Sequence, residues 1–280
     1  MTATISASEV NKLRQQTGSG MMDCKNALVE ANGDFEKAIE VLRKKGQKVA
    51  SKRADMEAAE GLVLAKTTAD GKLGVIMVYN CETDFVAQNK DFVSYVNSLV
   101  DLALKNKSTS IEQFKTVSYN GALTVNDTIV EKIGVIGEKM DISKLEYVEA
   151  AKVFAYIHPG NRLAALVGLN DASFASVDET GKDIAMQIAA MGPIAVDKDD
   201  VPAETVAKEL EIAKELAIKE GKPEKMAEQI SKGRLNKFFT ESTLLNQEFF
   251  KDNKKTVRQF LQDTHKGLTV TAFKRFALKS

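Results

Sequence analysis

Residues 71–80, Gly-Lys-Leu-Gly-Val-Ile-Met-Val-Tyr-Asn, align without gaps on residues 161–170, Asn-Arg-Leu-Ala-Ala-Leu-Val-Gly-Leu-Asn. Both stretches are apolar runs that end in Asn, and such runs are typical of a strand covered on both faces. A segment with helical spacing of apolar residues follows each run, at residues 92–104 and 183–191. The repetition predicts a core of two related α+β halves.

Three short helices are predicted before the first half, over residues 6–46. Gly18-Ser19-Gly20 separates the first helix from the second, and Asn32-Gly33-Asp34 separates the second from the third. Gly46 is expected to end the third helix. Residues 47–60 are rich in charges and alanine, and we interpret them as a solvated linker helix.

A helical hairpin is predicted over residues 203–238, where a narrow apolar stripe runs through a highly charged sequence that Gly221-Lys222-Pro223 interrupts. Each arm would be about 25 Å long at about 1.5 Å per residue. Because its seam is thin, the hairpin is expected to project from the core. The stripe residues are Val206, Leu210, Ala213, Ala217, Met226, Ile230 and Gly233.

The predicted fold is therefore α+β in four parts. They are an N-terminal three-helix module with its linker at 1–54, a first core half at 55–145, a second core half at 146–200 and 239–280, and the hairpin at 201–238.

Composition excludes several classes of protein. Lys+Arg and Asp+Glu both number 39, so the chain carries no net charge and is not expected to bind nucleic acid directly. No run approaches the roughly 18–20 apolar residues of a membrane helix, and residues 1–6 lack the pattern of a signal peptide. A cytoplasmic protein without membrane contact is predicted. Cys24 and Cys81 are too few for a disulfide framework or a zinc site, and both are interpreted as buried thiols.

No enzyme motif is present. The chain has no Walker A sequence, no nucleophile elbow and no His-Glu-x-x-His, and Gly18-Ser19-Gly20 lies between helices, the wrong context for a dinucleotide loop. Two histidines cannot form a polyhistidine metal site. These observations favour a binding protein without a cofactor, with an unrecognised enzyme that uses His158 or Asp84 as an alternative.

Three segments, in this order and spacing, resemble the bacterial elongation factor Ts family. They are residues 13–28 (Leu-Arg-Gln-Gln-Thr-Gly-Ser-Gly-Met-Met-Asp-Cys-Lys-Asn-Ala-Leu), residues 80–89 (Asn-Cys-Glu-Thr-Asp-Phe-Val-Ala-Gln-Asn) and residues 184–190 (Ile-Ala-Met-Gln-Ile-Ala-Ala). Residues 133–140 and 221–223 fit the same family, so the resemblance covers essentially the whole chain. It implies an N-terminal module similar to ubiquitin-associated domains, a core of two α+β subdomains and a projecting antiparallel coiled coil.

The resemblance also implies a function, which is nucleotide exchange without covalent chemistry on elongation factor Tu, the GTPase that delivers aminoacyl-tRNA. In the family, the motif that matches Thr83, Asp84, Phe85 and Val86 is associated with displacement of Mg²⁺ from the GTPase. The residues alone leave an alternative, in which Phe85 is a core side chain and Asp84 only caps the helix that follows.

Two further partner-binding regions are implied by the resemblance. Residues that match Arg14, Met21 and Met22 lie near the GTPase contact of the N-terminal module, and Leu163, Ala164 and Gln187 match a second contact region. This chain departs from some members there, because they carry Ile-Gly in place of Leu163-Ala164 and a histidine in the helix that contains Gln187.

Several alternatives stay open from the sequence. The turn over residues 17–22 can simply join two helices, and the hairpin can be a spacer or a secondary contact. The N-terminal module can serve an adaptor that has no exchange activity. A homodimer or a heterotetramer with the partner is compatible with the sequence.

Overall fold

The computed structural model describes residues 5–278. The described chain divides into two compact units, of which the first comprises residues 5–64, 77–145 and 278 and the second comprises Ala65–Ile76 and Glu146–Ala277.

The first unit contains three helices at its N-terminus and four more after the second strand. The helices are α1 (Ala7–Thr17), α2 (Met21–Glu30), α3 (Phe35–Lys52), α4 (Asp84–Ala87), α5 (Lys90–Asn106), α6 (Ile111–Thr116) and α7 (Val125–Ile136). Strands β1 (Glu60–Thr67), β2 (Leu73–Cys81) and β3 (Asp141–Glu149) form a sheet in the order β1-β2-β3, and the unit boundaries fall inside these strands. The predicted strand at 71–80 is therefore the central strand of this sheet.

The three N-terminal helices begin and end at the predicted positions, except at the end of α3. Ser6 caps α1 in a capping box with Glu9, and Gly18 ends it in the left-handed conformation at φ 70°. Asp34 caps α3 by accepting a hydrogen bond from the Lys37 N–H. The module has its own small core, formed by Val10, Leu13, Cys24, Ala27, Leu28, Ala31 and Ala38.

The prediction that Gly46 ends the third helix is wrong. Helix α3 continues through Gly46 to Lys52, so the predicted linker helix over 47–60 is confirmed only for residues 47–52, whereas residues 53–59 are turn and irregular chain. Gly46 is buried where α3 crosses α7, and a Cβ built on Gly134 of α7 would lie 2.6 Å from the Gly46 Cα. Gly46 is thus a site of close helix packing and not a helix terminator.

The second unit repeats the arrangement of a sheet with a helix packed on it. Its elements are β4 (Lys152–Ile157), β5 (Leu163–Leu169), α8 (Val177–Met191), α9 (Ala203–Lys219), α10 (Glu224–Ser242), β6 (Glu248–Phe249), β7 (Asp252–Thr256), α11 (Val257–Thr264) and β8 (Val270–Ala277). The sheet order is β4-β5-β8, antiparallel throughout. The predicted strand at 161–170 is again the central strand, and α8 buries Ile184, Ala185 and Ile188 in the core that it shares with β5.

Helices α9 and α10 form the predicted antiparallel hairpin. Ala213 and Ala217 of the predicted stripe are buried in its seam. The second-arm stripe is wrong by one position, because Ala227 and Ser231 are buried whereas Met226 is 49% exposed and Gly233 is exposed. Small side chains let the two arms approach closely, so hydrophobicity is a poor marker of the packed face here.

Candidate functional site

The turn formed by Thr83, Asp84, Phe85 and Val86 lies where β2 ends and the single-turn helix α4 begins. Thr83 is the N-cap of α4, with its Oγ1 accepting a hydrogen bond from the Val86 N–H at 3.4 Å. Phe85 is 84% exposed and Asp84 is exposed as well. The structure therefore excludes the alternative in which Phe85 is a core side chain, and it gives the capping role to Thr83 instead of Asp84.

Two carboxylates fix the chain directly before this turn. Glu138 accepts hydrogen bonds from the N–H groups of Glu82 and Thr83, at 3.2 and 3.0 Å, and from the Thr83 hydroxyl at 2.5 Å. The Glu82 carboxylate accepts from the Lys139 N–H at 2.6 Å and from Arg53 Nη1 at 2.7 Å. Hydrogen bonds to charged groups are the stronger ones in proteins, so the backbone before α4 is firmly held.

Cys81 is buried beneath the turn and donates from Sγ to the Thr83 carbonyl at 3.2 Å. Burial raises the pKa of the Cys81 thiol to about 12, and the nearby negative charge of Glu138 acts in the same direction. The thiol therefore stays protonated at neutral pH, and a thiol in that state is a poor nucleophile. This agrees with the interpretation of Cys81 as a buried packing residue.

A second exposed surface lies at the start of α2. Met21 and Met22 are 55% and 63% exposed, and Val29, about two helical turns after Met22, is 47% exposed. Arg14 is exposed in the last turn of α1. Methionine side chains adapt their shape to a partner, so this surface suits a protein contact.

The predicted residues of the second unit are less accessible. Leu163 is partly exposed at the start of β5, whereas Ala164 is fully buried in the same strand. Gln187 is also fully buried on α8. Its Nε2 donates to Gln247 Oε1 and to the Glu248 carbonyl, both at 3.1 Å, and its Oε1 accepts from the Phe250 N–H at 2.9 Å. Any influence of Gln187 on a partner must therefore act through the β6–β7 hairpin.

Comparison with known proteins decides the family. The model of a family described as Elongation factor TS matches residues 82–280. Elongation factor Ts of Amoebophilus asiaticus is 51% identical over 271 residues, which cover 97% of this chain and 98% of that protein. Elongation factor Ts of Flavobacterium psychrophilum is 48% identical over 276 residues, or 99% of each chain. The chain belongs to the elongation factor Ts family. The resemblance found in the three sequence segments is thus confirmed.

Members of the elongation factor Ts family are the nucleotide exchange factors of translation elongation, and the adaptor alternative is not favoured. This activity is not a catalysis of covalent chemistry. Within residues 5–278, no helix combines the length and apolar character needed to cross a bilayer. The same residues contain no group of three His, Cys, Asp or Glu side chains placed to hold a metal ion.

The residues that support the exposed turn are not recognisable in the sequence. Glu138 and Lys139 lie in the segment that fits the family, but nothing in their composition marks them as neighbours of Thr83. Glu138 and Thr83 are separated by 55 positions, and Arg53 and Glu82 by 29. Hydrogen bonds between such distant residues follow from the packing of the first unit and leave no periodic pattern in the sequence.

Replacing Gln187 with alanine is expected to destabilise the second unit by about 2–4 kcal/mol, because it removes three hydrogen bonds of a fully buried amide. Urea unfolding measures the change. Gln229→Ala, an exposed glutamine on α10, is the matched control and should stay within about 0.5 kcal/mol of wild type. Equal stability of the two variants would contradict the assigned role of the Gln187 network.

Proposed function

We propose that this chain binds elongation factor Tu·GDP, displaces its Mg²⁺ and promotes GDP release so that GTP can bind. The observation that carries the proposal is the combination of an 84% exposed Phe85 with a backbone that charged hydrogen bonds hold in place. An exposed aromatic side chain on a fixed turn can insert into a partner with little loss of conformational entropy.

An exchange factor needs differential affinity and no covalent step. If it binds the nucleotide-free GTPase better than the GDP-bound form, linkage requires that GDP binds worse by the same factor in its presence. Incoming GTP then drives the factor off through the same coupling. Mg²⁺ is a vulnerable point in such a partner because it demands near-ideal octahedral geometry at about 2.0–2.1 Å.

The residues of the turn have separate roles in this proposal. Phe85 acts as the wedge that shifts elements of the partner near its metal. Asp84, exposed beside it, competes for hydrogen bonds of the partner in the same region. Thr83 caps α4 by accepting the N–H of half-buried Val86, so these two residues set the direction of the wedge.

The other candidate residues supply affinity. Met21 and Met22, at the start of α2, provide an exposed apolar contact. Exposed Arg14, in the last turn of α1, adds a positive charge on the other side of the turn that joins the two helices. Leu163 offers partly exposed surface in the second unit. Ala164 and Gln187 are fully buried, so Ala164 acts only through its strand and Gln187 only through its hydrogen bonds to the β6–β7 hairpin. In the four-part division proposed from the sequence, Arg14, Met21 and Met22 belong to the N-terminal module, and Leu163 belongs to the second core half.

Stopped-flow release of a fluorescent GDP analogue from elongation factor Tu tests the proposal, with and without this protein and at high and low Mg²⁺. Acceleration is expected that shrinks once Mg²⁺ has been stripped by a chelator. Acceleration that is independent of Mg²⁺ would retain exchange but move the mechanism to the phosphate or base contacts. Binding without any acceleration would leave only the adaptor function.

A further inference from the structure

One carboxylate outside the exposed turn accepts hydrogen bonds from two donor groups of Thr83 and from the backbone N–H of Glu82, the residue before it. Glu138 Oε2 accepts from the N–H groups of Glu82 and Thr83, and Glu138 Oε1 accepts from the Thr83 hydroxyl at 2.5 Å. That hydroxyl also accepts the N–H of Val86 at 3.4 Å. The side chain of Glu138 therefore orients the group that caps α4.

Helix α4 has little else to hold it. It comprises four residues, and an isolated helix of this length does not form in water. Phe85, its most apolar side chain, is 84% exposed and contributes almost no packing within this chain. Apart from the burial of Ala87, its conformation depends on its cap and on the residues on either side.

We propose that Glu138 is a positioning residue for nucleotide exchange. It fixes the end of β2 and the Thr83 cap, so that Asp84 and Phe85 are already oriented when they meet a partner GTPase. The inference rests on the proposed function and extends it to a residue outside the turn. It differs from a role in general stability because it acts through the geometry of Phe85.

The hydrogen bonds of Glu82 also hold the end of β2 in place. While its backbone N–H donates to Glu138, its carboxylate accepts from the Lys139 N–H and from Arg53. The Lys139 ammonium donates to the carbonyls of Ala54 and Met56, at 2.5 and 2.9 Å. The segment that leaves α3 and the segment that leaves α7 are thereby joined to the base of the turn.

Hydrogen exchange of the free, full-length protein tests the structural half of the proposal. Glu138→Ala is expected to speed exchange of the Glu82 and Thr83 amides by about tenfold or more, the effect of losing a hydrogen bond to a charged group. Glu138→Gln keeps an acceptor oxygen and should fall between Ala and wild type. Asp141→Asn is the control, because Asp141 lies three positions away, pairs with Lys115 and carries the same charge change.

GDP release from elongation factor Tu at saturating factor tests the functional half. Glu138→Ala should slow release by about tenfold with a smaller change in affinity for elongation factor Tu·GDP, and Glu138→Gln should restore part of the rate. If Glu138 acts through Phe85, the same substitution made in a Phe85→Ala background should have much less effect, as residues that act as one unit are not additive.

The outcomes separate the two proposals. Faster amide exchange with a wild-type release rate, or unchanged amide exchange, overturns the positioning role and leaves the proposed function intact. Equal, additive losses for Glu138→Ala with and without Phe85 also overturn it, because they indicate a role outside the turn. A wild-type protein that fails to accelerate GDP release overturns the proposed function and this inference together. If Glu138→Ala does not fold, the Glu138→Gln variant decides between these outcomes.

Discussion

Replacing Phe85 with alanine is expected to slow factor-stimulated GDP release by about 30-fold or more at saturating factor. An aromatic side chain that becomes buried contributes about 2–3 kcal/mol, and each 1.4 kcal/mol of barrier is about tenfold in rate. Affinity for elongation factor Tu·GDP should fall much less. If Phe85 contacts the partner only after Mg²⁺ has left, that contact raises the rate of GDP release but not the affinity for elongation factor Tu·GDP. Stopped-flow release, paired with titration of the two proteins, separates the two quantities.

The matched control is Phe250→Ala, since Phe250 is the other phenylalanine of high exposure among the described residues, at 45%. Phe250 lies outside the turn and donates its backbone N–H to Gln187, so its replacement can lower affinity for the partner but should leave the release rate at saturating factor near wild type. Because Phe85 is 84% exposed, its removal should change the free energy of unfolding by no more than about 0.5 kcal/mol. A Phe85→Ala protein that matches wild type in release rate would show that the wedge role is wrong.

The same comparison at low Mg²⁺ tests how the wedge acts. Once the metal has been removed from the partner, displacement of the metal no longer limits release. The difference between wild type and Phe85→Ala should then become smaller. A difference that persists without Mg²⁺ would place the action of Phe85 on the nucleotide contacts themselves.

Much of the fold follows from local patterns in the sequence. The two aligned apolar runs are the central strands β2 and β5, and they are apolar because consecutive residues of both strands are buried on both faces of the sheet. Capping residues give the helix starts, as at Ser6 and Asp34, where a side-chain oxygen accepts a backbone N–H. The hairpin of α9 and α10 follows from its stripe and its Gly-Lys-Pro interruption.

The features that could not be predicted from the sequence depend on close helix packing or on contacts between residues far apart in the chain. Gly46 was interpreted as a helix end since glycine commonly ends helices, but its lack of a side chain serves the crossing with α7. Buried Gln187 has a polar side chain on a helix that otherwise reads as an ordinary core helix, so its partners in β6–β7 cannot be inferred. The candidate turn itself was identified through the family motif, whereas its support by Glu138 required the structure.

Replacing Gly134 with alanine is expected to reduce stability by about 1–2 kcal/mol, the net of overpacking and of the gain in helix propensity. The added Cβ would lie 2.6 Å from the Gly46 Cα, so two helix backbones have to separate. No flexible side chain is available to move aside at this contact. The salt bridge of Arg43 with Glu131, at 3.1 Å, joins the same pair of helices and should weaken with it. Urea unfolding, with hydrogen exchange of α3 and α7, measures both effects.

Gly233→Ala provides a control with the opposite expected sign. Gly233 lies inside α10, and a Cβ built there meets nothing within 4 Å. The identical substitution should therefore stabilise the protein by roughly 0.5–1 kcal/mol through helix propensity alone. Because both glycines are in helix interiors, the difference in sign isolates the close crossing of α3 and α7 as the cause. If Gly134→Ala also raised stability, the three-helix module would not depend on that contact, and Gly46 would need another explanation for its place inside α3.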